Sequence, residues 1–108
     1  MSEASSYGIV SSAFANREDA RRVAGALLAE KLAACVQLME IESHYAWKGA
    51  IRHEPEVMLL AKTRSALFPH VIERIKALHP YEMPEIVAQN FSAGFAPYLD
   101  WIKAETPG

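Results

Sequence analysis

The N-terminal third of the chain pairs a short apolar segment with an amphipathic one. Ile9 and Val10 begin the apolar segment and predict a first strand. Asn16, followed by Glu18 and Asp19, is typical of a helix N-cap with an acidic first turn. The apolar positions that follow recur at helical spacing: Ala20, Val23, Ala24, Leu27 and Leu28. This pattern predicts a helix that packs one face and leaves the other in water.

The middle of the chain predicts two long strands joined by a tight turn. Residues 35–47 and residues 50 to about 63 are rich in apolar side chains and flank Lys48-Gly49. Each segment is about 13 residues long, whereas strands usually have five or six residues.

A second helix and a last strand complete the pattern. The helix is predicted to start at Ser65 and to end before Pro80. Its inner side carries Phe68, Val71, Ile72, Ile75 and Leu78. Residues 86–88 predict a strand, and Pro97 opens a short terminal helix. The order β-α-β-β-α-β plus a helix indicates an α+β fold of the ferredoxin-like split βαβ type, with an antiparallel sheet and the helices on one face.

The predicted hairpin is too long for the helices that should cover it. Two helices of about four turns shelter only about half of such a hairpin. The outer half carries Ile41, Tyr45, Trp47 and Ile51. Strand edges with such side chains in water promote association. We therefore expect an obligate oligomer.

Composition agrees with one small globular domain. The chain has 108 residues, 51% of them hydrophobic and 22% charged, which predicts a single domain over residues 7–105 behind a disordered tail of residues 1–6. The net charge is -2, and the basic residues are scattered, so neither nucleic acid nor an anionic membrane is an expected partner. Cys35 is the only cysteine, which agrees with a reducing compartment and a cytoplasmic location.

Familiar catalytic motifs do not occur. The sequence lacks a Gly-rich phosphate loop, a G-x-S-x-G elbow, C-x-x-C and H-E-x-x-H. Cys35 lies among apolar residues, where a thiol stays protonated. We therefore expect a protein that is not an enzyme.

Residues 79–85, with the sequence HPYEMPE, concentrate the most chemistry in the fewest positions. They supply an imidazole, a phenol, two carboxylates and two prolines between a helix and a strand. His79 admits two interpretations: it favours the negative end of the helix dipole, or it presents a nitrogen to a copper or zinc ion beside Glu82 and Glu85.

This loop, together with residues 32–36 (LAACV), 45–51 (YAWKGAI) and 98–101 (YLDW), resembles the CutA family of divalent-cation tolerance proteins. The resemblance extends over nearly the whole chain. It implies a homotrimer in which the long hairpins pair between neighbouring subunits, and a non-enzymatic role in tolerance to metal ions. It requires no cofactor, and copper or another divalent cation is the candidate ligand.

The resemblance also implies where copper would bind. Some CutA proteins associate copper with a cysteine at the end of the first strand and with two successive histidines before Pro-Tyr. Those positions are similar here to Ser12, Leu78 and His79, so only one donor remains. The candidate metal ligands are His79, Cys35, Glu82 and Glu85.

A cleft between subunits is the alternative functional site. Its candidate lining residues are Tyr45, Trp47, Lys62 and Tyr81. In this interpretation the protein is a PII-like trimeric sensor or adaptor, whose clefts bind a small molecule or a protein partner.

The register of the hairpin decides a further question. A two-residue loop at Lys48-Gly49 places His44 opposite His53, which is a plausible two-nitrogen site. A three-residue loop shifts the register and separates the rings onto opposite faces. Because positive φ is unfavourable for lysine, the sequence favours the three-residue loop.

Overall fold

The computed structural model describes residues 4–108, and the chain forms a four-stranded sheet with three α-helices. The elements are β1 (Tyr7–Phe14), α1 (Arg17–Ala29), β2 (Cys35–Trp47), β3 (Ala50–Arg64), α2 (Phe68–Leu78), β4 (Ile86–Asn90) and α3 (Ala96–Glu105). Two short 3-10 turns, Ala4–Ser6 and Ser65–Leu67, precede β1 and α2. This order confirms the predicted β-α-β-β-α-β plan with its terminal helix.

The sheet has the strand order β2-β3-β1-β4, and all neighbouring strands are antiparallel. Strand β1 lies between β3 and β4, so β2 and β4 are the two edges. Gly8 in β1 allows a close approach, because a Cβ there would lie 2.2 Å from the backbone oxygen of Gln89.

Local sequence signals define the limits of α1. The side chain of Asn16 accepts a hydrogen bond from the backbone N–H of Asp19 at 2.8 Å, which caps the first turn. At the other end, the N–H groups of Lys31 and Leu32 bond to the carbonyls of Leu28 and Leu27. This is a Schellman arrangement, in which Lys31 has a positive φ of 59°.

The main core lies between the sheet and two helices. Val23 and Leu27 from α1 and Val71 and Ile75 from α2 are fully buried against Leu59 and its neighbours in β3. The third helix packs on the opposite face of the sheet, where Leu99 and Ile102 form a second cluster with Ala4 and Tyr7. The prediction that helices cover one face therefore holds for α1 and α2 but is wrong for α3.

The ordered domain begins before Tyr7. Ala4 is buried in the second cluster, and the side chain of Ser65 donates a hydrogen bond to the carbonyl of Ser5 at 3.0 Å. The predicted disordered tail is therefore wrong for residues 4–6, because α3 gives Ala4 an apolar surface to pack against. Residues 1–3 of that predicted tail lie outside the described residues.

The hairpin extends far beyond the rest of the sheet. Pairing with β1 reaches only to Val57 of β3, so residues 50–56 pair with β2 alone. The chain is correspondingly elongated, with principal extents of 45 × 27 × 21 Å.

The loop at the tip has two residues, so the three-residue loop favoured from the sequence is wrong. Trp47 pairs with Ala50, and Lys48 and Gly49 have φ values of 50° and 81°. Positive φ at both central residues matches a type I′ turn, whose twist suits long antiparallel strands. We attribute this register to the extended β2–β3 ladder, whose stability outweighs the energetic cost of holding the Lys48 backbone in the left-handed conformation.

The sheet face opposite α1 and α2 keeps exposed apolar side chains. Met39 is 50% and Val87 is 54% exposed. The register places both in rows with Met58 and Leu60, on the face that α3 covers only at one end. Strand β2 adds a 13-residue edge to this surface.

Candidate functional site

A cleft of about 660 Å³ lies between the hairpin and residues 81–85, beside the end of β1. The hairpin contributes Tyr45 and Trp47 from β2, and the loop contributes Tyr81 and Met83. Side chains two residues apart share one face of a strand, which brings Arg52, Glu54 and Glu56 of β3 to the same cleft.

Two tyrosine–glutamate pairs organise the floor of the cleft. The Tyr81 hydroxyl donates to Oε2 of Glu56 at 2.6 Å, and the Tyr45 hydroxyl donates to Oε1 of Glu54 at 2.6 Å. Burial raises the pKa of Tyr81, and the bond to Glu56 raises it further. The bond to Glu54 likewise raises the pKa of Tyr45. Both phenols therefore remain protonated donors at neutral pH.

The cleft has an excess of negative charge. Glu82 and Glu85 line it together with Glu54 and Glu56, against the single guanidinium of Arg52. Lys48 approaches Glu82 at 4.0 Å from the tip of the hairpin, in an exposed and therefore weak ion pair. A cation is the charge type that this lining favours.

His79 lies beneath the loop rather than in the cleft lining. The residue is only 8% exposed, and its ring stacks on Phe14 with ring centroids 4.2 Å apart. Its Nε2–H donates to the carbonyl of Ala13 at 2.8 Å, and its Nδ1 accepts from the N–H of Tyr81 at 3.2 Å. Desolvation by burial lowers the pKa of His79 and keeps it neutral. With both ring nitrogens engaged, the structure supports a structural role.

The four candidate metal ligands do not converge within one chain. Glu82 and Glu85 line the cleft, whereas His79 is buried beside it with both nitrogens occupied. Cys35 is at the start of β2, ten residues from Tyr45 and thus roughly 30 Å along the strand. Within residues 4–108, no group of three or more His, Cys, Asp or Glu side chains is arranged to hold a metal ion.

Three of the four residues predicted to line a cleft between subunits lie together in this cleft within one chain: Tyr45, Trp47 and Tyr81. Lys62 does not, because its register partner is Cys35 and its Nζ lies 5.6 Å from the ring centroid of Tyr98 in α3. The positive charge of Lys62 therefore lies at the end of the sheet opposite the cleft.

Sequence reasoning missed Arg52, Glu54 and Glu56 as cleft residues. The available signal was their spacing, since alternate positions of a strand face the same side as Tyr45 and Trp47 across the hairpin.

Among residues 4–108, none of the helices has the length and apolar content that a membrane-spanning helix requires.

Comparison with known proteins gives matches that extend over most of the chain. Residues 8–105 match the family described as CutA1 divalent ion tolerance protein. A Thermus thermophilus divalent-cation tolerance protein CutA is 46% identical over 84% of this chain and 89% of its own length. The human Protein CutA is 40% identical over 92% of this chain, which spans only 58% of that longer protein.

Solved structures agree with the sequence comparison. The Archaeoglobus fulgidus CutA structure matches with a TM-score of 0.91 at 36% identity, covering 94% of this chain and 99% of the other. The Thermus thermophilus protein matches with a TM-score of 0.88 at 42% identity, covering 94% and 99%. With the family match over residues 8–105, these similarities establish that the chain belongs to the CutA1 family of divalent ion tolerance proteins.

Proposed function

We propose that this family member acts without catalysis in tolerance to divalent cations, and that it binds such cations weakly in the cleft between the hairpin and residues 81–85. The observation that carries the proposal is the negative charge of the cleft lining, four carboxylates against one guanidinium, which attracts cations although no three of the described acidic side chains converge on one point. Carboxylate oxygens are ligands for divalent ions.

A role without catalysis is supported by the state of the histidines near the cleft. Both nitrogens of His79 bond to backbone groups. His44 bonds to a carboxylate of Glu42 rather than to a hydroxyl or thiol that it could activate.

A double variant tests the site. We expect Glu82→Gln combined with Glu85→Gln to reduce the number of copper and zinc ions retained in native mass spectrometry, because both carboxylates belong to the exposed loop. Glu18→Gln in α1, which changes a distant exposed carboxylate, is the control. Equal metal retention in all three proteins would contradict cation binding in the cleft.

Growth measurements test the role itself. We expect a bacterial strain that lacks its own family member to regain growth at raised copper concentration when it expresses this chain. Identical growth with and without the chain would refute the proposed role in tolerance.

We also propose that the working form is a homotrimer. Its support is the apolar sheet face around Met39 and Val87 together with the 13-residue outer edge of β2, which no other strand of residues 4–108 pairs with; association would cover both features. In analytical ultracentrifugation we expect a trimer that Val87→Lys dissociates. Leu28→Lys, which alters an apolar residue 44% exposed on α1, should leave the trimer intact. A folded monomer of the unmodified chain would refute the proposal.

The size and aromatic lining of the cleft favour a second candidate, a sensor that binds a small organic molecule. A volume of about 660 Å³ lies within the range of small-molecule sites, and Tyr45, Trp47 and Tyr81 offer stacking surfaces. The chain has two tryptophans, so Trp101→Phe leaves Trp47 as a fluorescent reporter of the cleft. A metabolite that changes this fluorescence and raises Tm without metal would favour the sensor.

A further inference from the structure

The type I′ turn brings two histidines together on the exposed part of the hairpin. His44 is the direct cross-strand partner of His53, and their ring centroids lie 5.5 Å apart with planes inclined by 24°. Counting outward from the turn-flanking pair of Trp47 and Ala50, this is a non-hydrogen-bonded pair. In such pairs the side chains approach most closely.

A neighbouring carboxylate orients one of the two rings. Glu42 is two residues before His44 and therefore on the same face of β2, and its Oε2 lies 2.7 Å from Nε2 of His44. A carboxylate can only accept here, so in the neutral ring Nε2 carries the proton and Nδ1 has the free lone pair. Carboxylates hold many metal-binding histidines in this way.

The spacing of the rings suits one shared ion. A ring centroid lies about 3.2 Å from a metal bound to its nitrogen at about 2.0 Å. Two rings bound to one ion therefore have centroids at most about 6.4 Å apart, and the observed 5.5 Å is within that limit. The rings are stacked, so binding requires rotation about their χ angles, and the exposed side chain of Glu42 moves with His44 to keep its hydrogen bond. Both side chains are exposed, and exposed side chains change rotamer within nanoseconds.

We propose that His44 and His53 bind one transition-metal ion of the Cu(II), Ni(II) or Zn(II) class through one nitrogen each, with Glu42 positioning His44 and water completing the coordination. Imidazole nitrogen is a preferred ligand of these ions. Two protein ligands suffice for a site that is open to solvent, whereas a closed structural site would need more. The proposal stands on the geometry of the hairpin and does not rest on the function proposed for the carboxylate cleft.

The other two histidines make it possible to assign Cu(II) binding to His44 and His53. The chain contains four histidines, and the remaining two are His70 and His79. His70 is exposed on α2, which makes it a matched control. His79 is buried and uses both nitrogens within the fold.

Electron paramagnetic resonance of the full-length protein with one equivalent of Cu(II) tests the proposal. We expect superhyperfine splitting from two imidazole nitrogens in the unmodified protein. His44→Gln and His53→Gln should each remove one nitrogen and weaken Cu(II) binding about ten-fold or more in calorimetric titration. His70→Gln should leave both the spectrum and the affinity unchanged.

Glu42→Gln separates positioning from coordination. We expect it to weaken Cu(II) binding about ten-fold while the two-nitrogen splitting is retained, because Glu42 acts through His44. Circular dichroism confirms that each variant is folded. The proposal is overturned if the unmodified protein binds no Cu(II) at micromolar concentration, or if either His44→Gln or His53→Gln leaves the spectrum unchanged. Loss of metal only in the Glu82 and Glu85 double variant would assign binding to the cleft instead.

Discussion

His79 is expected to stabilise the fold as a neutral side chain, and His79→Leu tests that role. Leucine would leave the carbonyl of Ala13 and the N–H of Tyr81 without the ring nitrogens that now bond to them. Each lost bond costs about 1 kcal/mol or more. Loss of the stack on Phe14, at 4.2 Å between centroids, adds about 1 kcal/mol. We therefore expect the free energy of unfolding to fall by about 3 kcal/mol.

Urea unfolding at about pH 8 measures this change, with all proteins at the same chain concentration because assembly affects apparent stability. His70→Leu on the exposed surface of α2 is the matched control and should change the free energy of unfolding by less than about 0.5 kcal/mol. A loss below about 0.5 kcal/mol in His79→Leu would refute the structural role that the hydrogen bonds imply.

The pH dependence tests the charge state of His79 separately. Burial lowers its pKa in the folded chain below the usual value of 6.5, so the unfolded chain binds the extra proton more readily. The stability contributed by neutral His79 is present above about pH 6.5 and is lost as the pH falls toward the lower folded pKa. We expect the stability difference between the unmodified protein and His79→Leu to shrink as the pH falls from 8 to about 5. An unchanged difference would contradict the lowered pKa.

Three further substitutions have defined expectations, each measured by urea unfolding. Gly8→Ala should lower the free energy of unfolding by about 2 kcal/mol or more, because its Cβ would lie 2.2 Å from the Gln89 carbonyl oxygen; a neutral result would exclude this close approach. Lys31→Gly should raise it by about 1 kcal/mol by relieving the positive φ at the end of α1, and a decrease would argue against the left-handed conformation. Ser12→Ala should be neutral or stabilising by about 1 kcal/mol, since the buried Oγ of Ser12 has no hydrogen-bond partner within residues 4–108; a marked loss would reveal a partner for that hydroxyl.

Much of the fold could be predicted because its signals are local. The helix from Asn16 onward follows from a capping residue and an apolar stripe, both within a few turns of chain. The long hairpin followed from apolar segments on either side of a single glycine turn. The unusual length of these strands also indicated that part of the hairpin would extend beyond the helices.

The hairpin register was harder to predict because two effects oppose each other. The conformational preference of Lys48 favours a longer loop, whereas the twist of the strands favours a type I′ turn. The preference of a single residue reflects only the first effect. The structure adopts the second, and as a result His44 and His53 lie side by side.

The candidate site depended most on contacts that are distant in sequence. The hydrogen bond between His79 and Ala13 joins residues 66 positions apart, and the bond between Tyr81 and Glu56 joins residues 25 positions apart. Contacts between residues so far apart leave no periodic pattern in the sequence from which they could be predicted. Sequence reasoning therefore identified the loop but assigned His79 to metal binding as readily as to a helix end.

The order of the elements and the buried faces of α1 and α2 follow from the amino-acid sequence alone, because periodicity and capping act over a few residues. Three outcomes required the tertiary structure: backbone groups bond to both ring nitrogens of His79, Cys35 and Lys62 lie far from the cleft, and Glu54 and Glu56 line it. Those outcomes depend on which strands and loops meet, and that is settled when the whole sheet pairs and the core packs.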